Sequence, residues 1–344
     1  MTTTVNVLAL GPADLAGPLP PWELQVGAGE LGVAVIDGAA ADWQNALARQ
    51  PGLARELQEA PVITVGVVRG DAGDLVKGCD LIATPDGVEA LLDSVTRAGA
   101  PALVTAQLLR EPTSAVAVES FAYSMLLWSE DFRTWRGASE PGEAHDRGET
   151  RVTVERAVGA WKLTLTRPDR HNAFDALMRE QLCDALDALA TAPAAPVAIL
   201  GSGPSFCSGG DLDEFGTAAS PIAAHLVRSG RSVARRLSRL RPRLVAGVHG
   251  RCIGAGVEFA AFATRVIATP DATFALPELS LGLGLGAGGS ASIPARIGRQ
   301  RTLELLLADE PLDASAALRW GLADEIAPED ELEARCLEAA EALA

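Results

Sequence analysis

The sequence predicts an α/β fold in two parts. Short apolar segments of strand length alternate with longer segments of helical period, the pattern expected of helices layered on a largely buried sheet. At 344 residues the chain exceeds one average domain and suggests about two. Between Gly137 and Thr150 it contains Gly, Glu, Pro, Ser and His and almost nothing apolar, so composition itself marks a linker. The expected domains are residues 1–137, a linker at 138–150, and residues 151–344.

The elements follow in order. Val5 to Leu10 is a short apolar run, and Gly11 to Pro21 is rich in Pro and Gly. Gly32 to Ile36 reads as a buried strand. Asp42 to Ala60 is helical in period, with Pro51-Gly52 as a break. Pro61 to Val68 and Cys79 to Ala83 are strands. Val88 to Ala98, Ala102 to Leu109 and Val116 to Trp128 read as helices. Beyond the linker, Val152 to Leu165 alternates like a hairpin, and Arg167 to Asn172 is a polar turn. Leu177 to Leu189 has helical spacing. Pro196 to Gly201 is a strand running toward the Gly-rich loop at 207–210. Ile222 to Leu240 is a helix with a basic C-terminal end, as the helix dipole favours. Leu244 to Val248 is a strand, Gly250 to Gly256 a tight turn, Val257 to Phe262 a helix, and Arg265 to Ala268 a strand. Glycines cluster again from Gly282 to Gly289, and Asp330 to Ala344 is an amphipathic helix.

Composition excludes several functions. The net charge of −16 argues against nucleic-acid binding. Residues 1–150 hold 9 Lys/Arg against 21 Asp/Glu, so the first half is an acidic body. No run of eighteen apolar residues is present, so no membrane span is expected. Met1 to Leu10 has no basic residue ahead of its apolar stretch, unlike a secretory signal. The cysteines, 79, 183, 207, 252 and 336, are odd in number and form no C-x-x-C pair. Free thiols in a cytoplasmic protein are expected, with neither metal nor disulfide frame. No P-loop is present. Gly282-Leu-Gly-Leu-Gly-Ala-Gly follows no strand and lacks the acid that a dinucleotide fingerprint needs about twenty residues on.

Two acids stand in settings a solvated loop would not need: Glu258 in Gly254-Ala255-Gly256-Val257-Glu258, and Glu278 in Phe274-Ala275-Leu276-Pro277-Glu278. Upstream, Phe206-Cys207-Ser208-Gly209-Gly210-Asp211 offers free backbone N–H groups. Two acids with two donor-rich turns are the equipment for acid–base chemistry beside a carbonyl.

These motifs, together with Arg167-Pro-Asp-Arg-His-Asn-Ala173 and Gly286-Ala-Gly-Gly289, occur in an order that resembles the crotonase (enoyl-CoA hydratase/isomerase) superfamily over about residues 152–328. The resemblance implies a crotonase-like ββα spiral acting on an acyl-CoA thioester in a homo-oligomer, with coenzyme A as part of the substrate and no other cofactor. It implies an oxyanion hole from the backbone N–H groups of Gly210 and Ala255. Glu258 would activate water for attack at Cβ, and Glu278 would protonate Cα. Asn172, Ala173, Ser208, Gly209, Asp211 and Gly286 would border the substrate.

The sequence departs from that pattern in three places. Asp213 stands where a Lys is common near the CoA phosphates, Leu285 stands for a Pro, and a single helix follows Pro328. The closing helices are expected at the other end: Pro101 to Leu109 and Ala117 to Phe132 resemble the family's C-terminal helical segment. Gly32 to Asp37, Pro61 to Gly70 and Gly78 to Ala83 resemble its core strands. Residues 1–137 are thus expected to be a smaller, degenerate crotonase-like α/β domain with a helical tail. The expected activity is hydration or dehydration of an enoyl-CoA. Double-bond isomerisation, a specialised step on a carrier-bound thioester, and a non-catalytic assembly protein are the alternatives.

Overall fold

The computed structural model describes residues 5–11, 14, 30–38, 40–50, 52–68, 78–111, 116–138, 150–191 and 195–343. The chain divides into two compact units. The first comprises residues 1–112 and 299–308, the second residues 113–298 and 309–344.

The first unit is built on four parallel strands in chain order: β1 (Val5–Leu10), β2 (Leu31–Asp37), β3 (Ile63–Val67) and β4 (Leu81–Ala83). Helices α1 (Ala40–Arg49) and α2 (Leu53–Glu59) join β2 to β3, and α3 (Val88–Ala98) and α4 (Ala100–Arg110) follow β4. Every residue of β3 is buried, so it reads as a continuous apolar run, as a covered parallel strand should. One buried charge pins this unit. The Asp80 carboxylate accepts from the Thr64 N–H and hydroxyl, both at 2.9 Å, and pairs with Arg110 at 2.6 Å and Arg299 at 2.9 Å.

The second unit opens with α5 (Val116–Leu126) and α6 (Glu130–Ala138). A hairpin follows, β5 (Val152–Arg156) and β6 (Trp161–Leu165), then α7 (Ala176–Thr191), β7 (Val197–Gly201), α8 (Pro221–Gly230) and α9 (Val233–Leu240). Next come β8 (Leu244–Val248), β9 (Arg251–Ile253), α10 (Ala255–Ala260), β10 (Arg265–Ala268), β11 (Thr273–Ala275) and α11 (Gly289–Ser292). Helix α12 (Pro294–Leu307) is broken at Gly298, where φ is +80°, and its second part belongs to the first unit. The chain ends with β12 (Leu312–Asp313), α13 (Ala314–Trp320), β13 (Glu325–Ile326) and α14 (Leu332–Glu341). Six strands pair in the order β13-β10-β8-β7-β6-β5, and β12, β11 and β9 form a second, smaller sheet. Two successive turns, β8-β9-α10 and β10-β11 with the 3-10 turn at Glu278–Leu281, give one strand to each sheet and then a helical element. This is the ββα spiral expected from the sequence. Helix α14 closes the outer face, where Gly247 lets the Cys336 thiol approach so closely that a Cβ there would lie 2.7 Å from it.

Three expectations change. The helical tail assigned to the first domain belongs to the second compact unit: the break falls near residue 112 rather than 137. The reason is chemical, because α5 buries an acid against the loop that follows Gly286. Most of the linker at 138–150 lies outside the described residues, as do Pro51 and most of Gly11 to Pro21. The single helix expected from Ile222 to Leu240 is two, because Arg231 leaves helical geometry and the Ser232 hydroxyl caps α9 by accepting from the Arg235 N–H. The turn expected from Gly250 to Gly256 contains β9, which pairs in parallel with β11.

Candidate active site

A cavity of about 1120 Å³ opens within the second unit, and its wall carries Gly210, Ala255, Glu258 and Glu278. Three pieces of chain bring them: the loop before Asp211, α10, and the turn after Pro277.

Gly210 sits on a loop held against residue 174. The Phe174 N–H donates to Gly209 O at 2.7 Å, and the Asp211 N–H donates to Phe174 O at 3.0 Å. Gly209 adopts φ +94°, the left-handed region that glycine tolerates without strain. Gly210 needs its missing side chain for space, since a Cβ would lie 2.6 Å from the Phe215 ring. Ala255 is the first residue of α10, after Gly254 at φ +51°. Neither the Gly210 N–H nor the Ala255 N–H has a protein acceptor among the described residues. Both therefore remain available to a carbonyl oxygen in the cavity.

Glu258 lies one turn into α10 and is only 2% exposed. Its Oε2 accepts from the Ala287 N–H at 2.8 Å and the Gly289 N–H at 2.6 Å. Burial pushes its carboxyl well above the ordinary range, and the charges of Glu119 and Glu278 push the same way. The two N–H donors act against them. Glu278 begins a short 3-10 turn after Pro277. Burial, opposed by its own backbone N–H and helped by a smaller push from Glu119, takes its carboxyl up to about 8. Its Oε2 is buried and has no hydrogen-bond partner. Gly254 makes room for this acid, since a Cβ there would lie 2.6 Å from Glu278 Oε1.

Buried acids that repel one another do not ionise together near neutral pH, so the pair holds a proton between them. Two N–H groups stand ready to meet a charge on Glu258, while Glu278 Oε2 has no partner among the described residues. Two carboxyls and two free backbone donors thus face one space.

Of the other residues singled out in the sequence, Ser208, Gly209, Asp211 and Gly286 are on the cavity wall, while Asn172 and Ala173 are not. Asn172 is a clamp rather than a ligand contact. It is fully buried, its Oδ1 accepts from the Arg167 N–H at 2.7 Å, and its Nδ2 donates to the carbonyls of Ser202, Ser205 and Phe206. The Asp211 carboxylate is likewise taken, by Arg167 Nη1 at 2.7 Å and by the Asp213 N–H. Arg167 also donates to Ala173 O at 3.0 Å and pairs with Asp175 at 3.3 Å. This buried cluster fixes the loop that presents the Gly210 N–H. Arg167→Met is expected to cost about 3–5 kcal/mol of stability, because it leaves Asp211 buried without its partner. A shift in the urea unfolding midpoint at constant slope would register it. Asp213, where the related pattern has Lys, pairs with Arg170 at 2.6 Å.

Sequence reasoning missed three site residues, all reached through helices. Glu119 of α5 is 1% exposed; it accepts from the Gly288 N–H at 2.7 Å, the Ser290 N–H at 2.9 Å and the Ser290 hydroxyl at 2.6 Å. Four consecutive amides are thus shared alternately, 287 and 289 by Glu258, 288 and 290 by Glu119. Tyr123, one turn on, packs its ring on Gly286, where a Cβ would lie 2.4 Å from the ring. Arg228 of α8 lies over that ring at 4.5 Å from its centroid. A lone acid in the apolar string Val116 to Ala122 was the signal available for Glu119.

Comparison with known proteins agrees with this geometry. The profile of the enoyl-CoA hydratase/isomerase family matches residues 155–344. Over 183 residues the chain is 34% identical to the mevalonyl-coenzyme A hydratase of Aspergillus fumigatus, covering 53% of this chain and 67% of that protein. Over 180 residues it is 33% identical to the 2,3-dehydroadipyl-CoA hydratase of Escherichia coli, covering 52% and 70%. Among solved structures, an enoyl-CoA hydratase subunit from Geobacillus kaustophilus superimposes with a TM-score of 0.52 at 26% identity, over 56% of this chain and 75% of that one. With its spiral of ββα turns and its match over more than half the sequence, the chain belongs to the enoyl-CoA hydratase/isomerase family.

Proposed function

We propose that the protein hydrates an enoyl thioester of coenzyme A, or dehydrates the corresponding 3-hydroxyacyl thioester, through an enolate held by the N–H groups of Gly210 and Ala255. The observation that carries this reading is the unequal provision of the two carboxyls: Glu258 Oε2 has two N–H donors, while Glu278 Oε2 has none among the described residues and its carboxyl meets only its own backbone N–H. In hydration, Glu258 as carboxylate takes a proton from water, and that water's oxygen bonds to Cβ. The double-bond electrons move toward the thioester carbonyl, whose oxygen is stabilised by the two amides. Glu278 then gives its proton to Cα. The elements of water are added across the double bond, and the net effect on the acids is a proton moved from Glu278 to Glu258, which exchange through water restores. Oxyanion donors of this kind are worth about 3–4 kcal/mol each in a water-poor site.

Loss of the conjugated-thioester absorbance of crotonyl-CoA on adding the protein is the direct test. Absence of turnover, together with unchanged melting in the presence of CoA esters, would refute the reading.

The raised Glu278 carboxyl makes a pH prediction. It is protonated below about 8, so kcat/KM for hydration falls as pH rises through that value. In Glu278→Gln that limb of the profile disappears along with most of the rate. Stability has a matching sign. The folded state holds this proton and the unfolded chain, with its carboxyl near 4.5, releases it, so the contribution is full below about 4.5 and is lost as pH rises through about 8. The fall in Tm across that window is expected to be smaller in Glu278→Gln than in the wild type.

A second reading, a specialised step on a carrier-protein thioester, is favoured by Asp213 and is distinguished by comparing CoA and carrier-bound substrates. As part of the same proposal we place the enzyme in the cytoplasm, where its five buried free thiols would persist. We assign it a homo-oligomeric state, supported by the exposed Phe121, Met125, Ile222 and Leu226 on α5 and α8. Among the described residues, no helix is long and apolar enough to cross a membrane. The first unit remains proposed as a degenerate crotonase-like layer. Its four parallel strands in chain order are compatible with that origin.

A further inference from the structure

Arg228 is a cation without a counter-ion. Two nearby arginines are paired: Arg231 with Glu180 and with Asp184 at 2.6 Å, and Arg236 with Asp187 at 2.8 Å. Arg228 has no carboxylate within ion-pair distance among the described residues. Its Nη2 donates to the Ser124 hydroxyl at 2.6 Å, its guanidinium rests on the Tyr123 ring, and its Nε is buried with no partner. The nearest acid in electrostatic terms, Glu119, has its oxygens engaged by Gly288 and Ser290. Ser124 and Tyr123 hold the guanidinium in place without neutralising it. A part-buried, unpaired charge in a cavity wall attracts a partner of opposite sign.

The position of Arg228 indicates where that partner comes from. The residue lines the large cavity that holds Glu258 and Glu278, and it also lines a small recess of about 40 Å³ with Ser120, Phe174, Arg179, Phe259 and Ala287. Ala287 is the residue whose N–H holds Glu258, so the recess adjoins the base. Arg179 brings a second guanidinium to the same walls, and its own partner, Glu180 at 3.3 Å, is 43% exposed. By volume the recess takes roughly three water-sized groups. That is room for a carboxylate, although Arg228 and Arg179 also line the large cavity. Beside the polar Arg231 and Ser232, Phe174, Phe259 and Val233 give the recess an apolar side, which suits the hydrocarbon leading to such a group.

We propose that Arg228, flanked by Arg179, binds a carboxylate at the far end of the acyl group, so that the substrates are 2-enoyl-CoA thioesters carrying a terminal carboxylate. This rests on the hydratase reading above and adds to it a substrate class. Arg228 acts as a specificity determinant and takes no part in proton transfer.

The test compares turnover of terminal-carboxylate 2-enoyl-CoA thioesters of increasing chain length with that of their terminal amides. In the wild type the best acid is expected to exceed its amide in kcat/KM by about tenfold or more, as desolvated charge pairs at interfaces do. In Arg228→Met the ratio should fall to near unity, and in Arg228→Lys it should be partly restored. A wild-type ratio of one, or an unchanged ratio in Arg228→Met, overturns the proposal while turnover of the amides leaves the hydratase reading standing. If no thioester turns over, the hydratase reading fails by itself. The charge preference is then read by titration calorimetry with the saturated acyl-CoA acid and its amide, where equal affinity refutes it. Free coenzyme A supplies the remaining arm. If Arg228→Met weakens free coenzyme A as much as the acid thioester, the residue holds a CoA phosphate and the assignment is wrong.

Discussion

Glutamine in place of Glu258 is expected to lower kcat for crotonyl-CoA hydration by about 10²–10⁴, with KM changed far less. The substitution keeps the shape of the side chain but removes the charge. The Ala287 and Gly289 N–H groups can still meet the amide oxygen, provided the glutamine presents that atom to them. Packing therefore survives, and what is lost is the capacity to accept a proton from water. The raised carboxyl explains why the loss is large. Burial and the neighbouring acids make Glu258 a stronger base than a solvated carboxylate. Unchanged melting together with the rate loss would identify the defect as chemical. A variant that retains near wild-type turnover would remove Glu258 from the mechanism.

The second large effect lies outside the matched family segment. Glu119→Ala is expected to destabilise the second unit by several kcal/mol and to abolish most activity. The Gly288 N–H, the Ser290 N–H and the Ser290 hydroxyl lose their acceptor in a buried place, and each such orphan costs about 1–3 kcal/mol. Glu119→Gln is milder but still harmful, because it turns an NH₂ donor toward one of these donors. The same reasoning applies to excision. A chain begun at residue 151 retains the full family match yet lacks α5 and α6, and with them Glu119 and Tyr123. It is expected to lack the wild-type cooperative unfolding transition and hydratase turnover. Denaturation followed by circular dichroism, beside the turnover assay, checks both, and a stable, active 151–344 fragment would contradict the assigned role of α5.

Glu258, Glu278 and the Gly209-Gly210 loop were legible in the sequence because their neighbours are contiguous with them. Gly254, at positive φ, and the acid four residues after it lie within one short stretch of chain. Asn172 and Asp211 were legible as site neighbours but not in their role. Whether a buried amide meets a ligand or ties three carbonyls depends on the distant Ser202 to Phe206 turn. Glu119 was illegible for a similar reason, since its acceptor role exists only once residues 288 and 290 are brought to it. The split of α8 from α9 turned on a single Ser232 hydroxyl, which periodicity averages away. Strands as short as β9, β12 and β13 carry too few residues for any period to register.

The alternating grip of Glu258 and Glu119 on residues 287–290, where the chain enters α11, gives this segment a parity. Odd amides face the base and even amides face α5, so the segment has two sides although it is not a strand. Inserting or deleting one residue there would exchange the two sides, offering Glu258 the amides meant for Glu119. A change of two residues would keep the assignment while altering the reach. Length variation at this point of the chain is therefore expected to be tolerated in even steps and refused in odd ones, a constraint on the numbering of the loop rather than on its chemistry.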